Sequence, residues 1–281
     1  MKLVRFGEKD SEKPGLIDPE GNIRDLSDYC ADFYHHGVSL NSLEKIINKD
    51  YMKLPHVPRS VRLGSCLADA PNFYCIGLNY AKHARETGDD APTEPIIFSK
   101  ATSSISGPYD KVIIPKGSEK TDWEVELGVV IGENCAHVPE EEALEVVSGY
   151  CVINDVSERS FQFDHGGQWI KGKSAPTFGP IGPFLVTKHD IPDPQNLNLS
   201  LKLNGTTVQS SNTSDMIFTV RQIIAHMTRF LELRVGDIIA TGTPEGVGIG
   251  MKPPVFLKVG DIMEVEIEHL GIQKQEVAAF I

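Results

Sequence analysis

The chain has 281 residues, 40% of them hydrophobic and 23% charged, with a formal net charge of -12. That composition is ordinary for a folded globular protein and excludes the disordered, fibrous and collagen-like classes. The acidic balance argues against binding nucleic acid or an anionic membrane through bulk electrostatics, and leaves small acids as substrates that a local basic pocket could hold.

A chain of this length predicts one large domain and a smaller one. The five cysteines, Cys30, Cys66, Cys75, Cys135 and Cys151, are odd in number and never form a CxxC pair, so they read as reduced thiols. The opening MKLVRFGEKD turns charged before an apolar signal core can form, and no run approaches the roughly 18 apolar residues of a membrane span. These features predict a cytoplasmic protein.

The front segment alternates like short strands, LVRF and then GLIDPEGNIRDL, with DPEGN as a hairpin turn. SLNSLEKIINKDY follows with Ser39 as N-cap and Leu40, Leu43, Ile46 and Ile47 at helical spacing. The proline-rich LPHVPRSVRLGSCLADAP reads as a connector, which places a small N-terminal α/β domain at 1–68 and the main domain at 69–281. Beyond it FYCIGLNY, KVIIP, VELGVVIG, GYCVIND, PFLV, LSLKLNG, DIIATG and IMEVEIE read as strands. Two long helices are expected, PEEEALEVVS and DMIFTVRQIIAHMTRFLEL, the second with Ile217, Val220, Ile223, Ile224, Met227 and Leu231 as a core stripe. So many strands with so few crossover helices predict an α+β, mostly β fold with mixed or antiparallel sheets.

Within TDWEVELGVVIG, strand alternation puts Glu124 and Glu126 on one face, which continues as Gly128 and Val130. If that face is buried, the two carboxylates require protonation, a basic partner or a bound cation. The same spacing recurs as Glu264, Glu266 and Glu268 in IMEVEIEHLG, where an all-acidic face opposes Met263, Val265 and Ile267. That is the pattern of a half-solvated strand, and no metal is expected there. A bare ExE more often marks such a solvated strand. A third acid strengthens the metal reading, because GYCVIND ends in Asp155. Three carboxylates without His or Cys companions are hard donors suited to Mg²⁺, Mn²⁺ or Ca²⁺.

In NYAKHARETG, with Gly88 as a helix stop, His83 and Glu86 are i, i+3 neighbours, either a solvated pair or an imidazole oriented by a carboxylate to activate water. Lys171 and Lys173 lie in a Gly and Pro-rich loop, as surface lysines or as counter-charges to an anionic substrate. DIIATGTPEGVGIG lacks the GK[ST] ending of a phosphate loop. Its glycines serve tight turns, or its backbone amides and the Thr243 hydroxyl bind a carboxylate.

Together GLNYAKHARE, PIIFSKATSSISGP, DWEVELGVVIG, INDVSERSFQ, WIKGKS and ATGTPEGVG, in this order over roughly residues 70 to 281, resemble the fumarylacetoacetate hydrolase family. The resemblance implies a mixed β-roll catalytic domain, a homodimer, and Mg²⁺ or Mn²⁺, with Ca²⁺ as a substitute, on Glu124, Glu126 and Asp155. It further implies His83 and Glu86 as a water-activating dyad, Lys173 as the catalytic lysine, Arg159 and Gln162 as substrate contacts, and Thr243 on the substrate carboxylate. The stretch ETGDDAPTEP reads as a polar lid. Two positions depart from the pattern of some members: NYAKH carries no fourth carboxylate ligand, and Leu78 stands where others have Arg. The implied activity is metal-dependent hydrolysis of a carbon–carbon bond in a 2,4-dioxo acid, an acylpyruvate or a 2,4-dioxo-3-deoxy sugar acid, with release of pyruvate. The same chemistry also serves oxaloacetate decarboxylase, 2-hydroxyhepta-2,4-diene-1,7-dioate isomerase and ureidoglycolate lyase activities.

Overall fold

The structure, a computed structural model, describes residues 1–47, 49–88 and 90–280. Its front hairpin follows the sequence pattern: β1 (Lys2–Phe6) pairs antiparallel with β2 (Lys13–Ile17), which pairs with β3 (Ile23–Asp25) across the DPEGN turn. Gly21 takes φ +79° in that turn, a conformation that favours glycine. The Asp18 carboxylate accepts from the backbone amides of Glu20 and Asn22 and pairs with Arg24 Nε at 2.8 Å. Burial opposes its charge, but these partners outweigh burial and lower its carboxyl to about 2. Ser39 Oγ accepts from the Ser42 amide at 3.3 Å and starts α1 (Leu40–Ile47). This helix buries Leu43 and Ile46 but turns Ile47 outward, and residue 48 of the expected helix lies outside the described residues. β4 (His56–Val57) then pairs with β3.

The middle of the chain runs β5 (Phe73–Gly77), α2 (Ala81–Thr87), β6 (Ile96–Lys100), β7 (Ile105–Ser106), β8 (Val112–Ile114), β9 (Thr121–Asp122), β10 (Val125–Ile131), β11 (Val147–Asn154) and β12 (Ser157–Glu158). Two short helices follow, α3 (Arg159–Phe163) and α4 (Ile170–Lys173). The last third is β13 (Gly179–Thr187), β14 (Asn198–Leu203), β15 (Thr206–Asn212), α5 (Val220–Met227), β16 (Ile238–Ala240), β17 (Ile262–Ile267) and β18 (Gly271–Ala279). Among the described residues no helix is long and apolar enough to cross a membrane.

An 11-stranded sheet runs in the order β4-β3-β2-β1-β13-β11-β10-β16-β5-β6, with β7 beside β13, and a 5-stranded sheet runs β15-β14-β17-β18-β8. The architecture is α+β and mostly β, as expected. The front strands are continuous with the main sheet, because β1 pairs with β13 through Lys2↔Val186 and Leu3↔Leu185. Both faces of β10 are buried. Val125, Leu127 and Val129 enter one core with α5 and the smaller sheet, while Val130 joins Cys151 and Ile153 in the core facing the front segment.

Three local expectations need correction. The helix over 139–148 is only a 3-10 turn at Glu140–Glu142, because Val147 already enters β11 and pairs with Ile131. Long-range pairing of a β-branched run overrides the local helical signal there. The second helix shortens to α5, capped by Thr219 and Gln222 in a capping box, so Leu231 packs on the core from its flank, while Ile217, half-buried, precedes the helix and is not part of the core cluster. The strand over 121–132 breaks at Trp123 and Glu124: β9 pairs with β12, and β10 starts afresh at Val125.

Candidate active site

Strand directions gather the site at one end of the main sheet. β10 runs antiparallel to β11 and β16, and β16 runs parallel to β5, so the start of β10 meets the ends of the other three. That junction collects Glu124 and Glu126, Asp155 just past β11, Thr243 past β16, and Leu78 past β5. One oxygen from each of Glu124, Glu126 and Asp155 lies within 4.8 Å of the others, and all three residues are buried. Control behaviour is seen on β17, where Glu266 is exposed and Glu264 pairs with Lys274 at 3.0 Å.

Basic side chains interlock with the acids. Lys173 Nζ, carried by α4, donates to Glu124 Oε2 at 2.8 Å and Asp155 Oδ2 at 2.7 Å. Arg159 Nη2 lies 2.7 Å from Glu124 Oε1 and 2.8 Å from Asp122 Oδ2, and its Nη1 donates to Gln162 Oε1 at 3.0 Å. Lys171, the other lysine of the loop, points away and donates to the His165 carbonyl at the surface. Burial opposes ionisation of Glu124, but Lys173 and Arg159 outweigh it and hold its carboxyl well below the usual carboxylate range. Burial likewise opposes the charge on Lys173, and Asp155 and Glu124 more than restore it.

Glu126 differs. Its Oε2 accepts only the Gly242 amide, at 2.8 Å, and among the described residues no basic side chain forms an ion pair with it. Burial, with Asp155 and Glu124 close by, pushes its carboxyl well above the ordinary range. Among the described residues, the buried acids Asp122, Glu124, Glu126 and Asp155 thus have Lys100, Arg159 and Lys173 as their buried cationic neighbours. A surplus carboxylate in a set of hard oxygen donors fits a divalent cation.

His83 and Glu86 stand on α2 and line the same cavity as Glu124 and Glu126. Gly88 ends that helix at φ +85°, its amide donating to the Ala84 carbonyl. His83 Nδ1 is 2.9 Å from Glu86 Oε1, and the Gly246 amide donates to both Glu86 oxygens at 3.1 and 3.0 Å. A carboxylate only accepts, so Nδ1 carries the proton and Nε2 is left as the acceptor. The Thr243 hydroxyl donates to the Val125 carbonyl at 3.0 Å and accepts from Gln209 at 2.9 Å. It must release that carbonyl to donate to a ligand. His83, Glu86, Glu124, Glu126, Arg159, Gln162, Lys173 and Thr243 all line one cavity of about 400 Å³. The expected lid over 86–95 includes residue 89, which lies outside the described residues.

Two members of the cluster escaped the sequence reading. Lys100 Nζ donates to Asp155 Oδ1 at 2.5 Å and to the Val156 carbonyl at 3.1 Å. Its signal was present in PIIFSK, where Lys100 shares a strand face with Phe98, a cavity residue. Asp122 pairs with Arg159 and accepts from the Gly248 and Ile249 amides at 2.7 and 3.0 Å, tying the glycine-rich loop to the site. Nothing local distinguishes Asp122 from a strand-edge residue.

Buried carboxylates, a lysine, an arginine and a His–Glu pair thus converge on a mixed β fold, with three of the acids close enough together to hold a metal ion. Residues 72–278 match the family model described as fumarylacetoacetate (FAA) hydrolase C-terminal, and the chain belongs to that family. A Burkholderia lata protein named only as a provisional hydrolase is 52% identical over 276 residues, 98% of each chain. The fumarylacetoacetate hydrolase structure from Exiguobacterium antarcticum is 36% identical with a TM-score of 0.90 and full coverage of both chains. Also fully covered are a 5-carboxymethyl-2-hydroxymuconate delta-isomerase from Mycobacterium smegmatis (30%, TM-score 0.80) and a maleylpyruvate hydrolase from Sphingobium sp. SYK-6 (28%, TM-score 0.82), the latter solved with manganese (II) and pyruvate.

Proposed function

We propose that the protein is a cytoplasmic, homodimeric hydrolase that uses Mg²⁺ or Mn²⁺ to cleave a 2,4-dioxo acid and release pyruvate. The observation that carries this reading is that the His83–Glu86 pair lines one cavity with Glu124, Glu126 and Lys173, the two glutamates clustering with Asp155. A divalent cation held by the three carboxylates would withdraw charge from the 2-oxo acid head. The residues of the chain account for the remainder. Glu86, fixed by the Gly246 amide, orients His83, whose Nε2 takes a proton from water while the oxygen adds to the C4 carbonyl. Lys173 and the amide of Gln162, turned by Arg159, face the developing oxyanion. Breaking the C3–C4 bond leaves its electron pair on C3, which takes a proton to become the methyl group of pyruvate, and the tail departs as a carboxylic acid.

Hydrolysis is distinguished from decarboxylation, isomerisation or lyase cleavage by the fate of water. In oxygen-18 water, the released tail acid is expected to carry solvent oxygen, and His83→Ala abolishes its formation. Turnover that forms no solvent-labelled tail acid, retained in His83→Ala, would move the assignment to the other three chemistries.

A further inference from the structure

We propose that the tail of the substrate is apolar and uncharged, and that Leu78 sets this preference; the inference rests on the 2-oxo acid reading of the head group. Besides its charged groups the cavity is lined by Ile76, Leu78, Phe98, Phe163, Trp169 and Ile249. Leu78 holds φ +53°, a left-handed conformation uncommon for a residue with a β-carbon, as the chain leaves β5 beside the cavity. A Cβ on its neighbour Gly77 would stand 2.6 Å from the Trp169 ring, so the missing side chain lets the indole lie against the end of β5. Trp169 then meets Phe98 edge to face at 5.2 Å.

The charges of the cavity are already committed. Among its described lining residues the lysine and arginine are Lys173 and Arg159, each 2.7 to 2.8 Å from carboxylates of the site. Glu86 adds a further carboxylate to the lining. A second substrate carboxylate would be desolvated against the apolar lining with no uncommitted lysine or arginine among the described lining residues to receive it, whereas an alkyl or aryl tail gains by burial.

The test compares 2-oxooctanoate with 2-oxooctanedioate, which share a head and chain length and differ in the terminal carboxylate. Their dissociation constants are measured by calorimetry with Mn²⁺ present, so no turnover is needed. The monoacid is expected to bind about tenfold tighter or more, and Leu78→Arg to erase that ratio. Phe163→Arg, on the exposed rim, repeats the test if Leu78→Arg does not fold. Equal or tighter binding of the diacid to the wild type, or an unchanged ratio in the folded variant, overturns the proposal. A monoacid preference without cleavage of any 2,4-dioxo acid removes the hydrolase reading and leaves this one standing. Failure of both compounds to bind removes the head-group reading and the tail inference together.

Discussion

β10 and β17 carry the same acidic spacing and end in opposite environments. Around β10, Glu124 and Glu126 are buried among Lys173, Arg159 and Asp155. On β17, Glu264 and Glu266 face solvent or a surface lysine, while Met263, Val265 and Ile267 fill the core. Alternation assigns Glu264 and Glu266 to one face of β17, whereas Glu124 sits at the break just before β10 and Glu126 within it. What separates a site from a surface is the layer beyond the acids: β10 is central in its sheet and covered on both sides, whereas the acidic face of β17 meets water.

The contrast can be broken by matched substitutions. Glu126→Ala is expected to lower turnover by more than about a hundredfold with the fold intact, whereas Glu266→Ala leaves it unchanged. Full activity in Glu126→Ala, measured beside its far-ultraviolet circular dichroism, would sink the metal role. His83→Ala is expected to lose hydrolysis by about 10² to 10⁴-fold while keeping the rise in melting temperature that Mn²⁺ produces. Loss of that rise would show that His83 acts through the metal site instead.

Stability separates the two regions in the same way. Lys100→Met leaves Asp155 short of a buried partner and is expected to cost about 3–5 kcal/mol in urea unfolding. Lys274→Met removes the exposed partner of Glu264 and costs less than about 1 kcal/mol. Near-equal values would erase the distinction. A pH-dependent effect belongs to the front hairpin. Asp18 has its carboxyl lowered to about 2 in the folded chain, against about 3.9 in an unfolded one, so its contribution is complete above the higher value and fades as pH falls toward the lower. Asp18→Asn should flatten the pH dependence of stability in that window and nowhere else.

The sequence was most readable where inward positions are apolar. β10, β11 and β14 were legible for that reason, and so was the carboxylate set, because acids in an apolar run stand out. β18 was missed because its pattern is inverted: Ile272 is exposed, while Gln273 and Gln275 are buried. The Gln273 amide donates to the carbonyls of Val152, Pro180 and Gly182, and Gln275 donates to that of Pro108, so polar residues occupy core positions through bonds to distant backbone. β15 was missed because TTVQSSN has little apolar content to alternate. Lys173 and Lys171 are indistinguishable by local spacing, and only the placement of α4 against Glu124 and Asp155 selects the first.

The most direct test is to incubate the purified protein and Mg²⁺ with an acylpyruvate, following loss of the diketone absorbance and appearance of pyruvate, with a chelated control. Pyruvate release that stops on chelation and returns with added Mg²⁺ or Mn²⁺ is the predicted result. Release that continues undiminished in the chelated, metal-free protein would contradict the proposed metal dependence of the reaction.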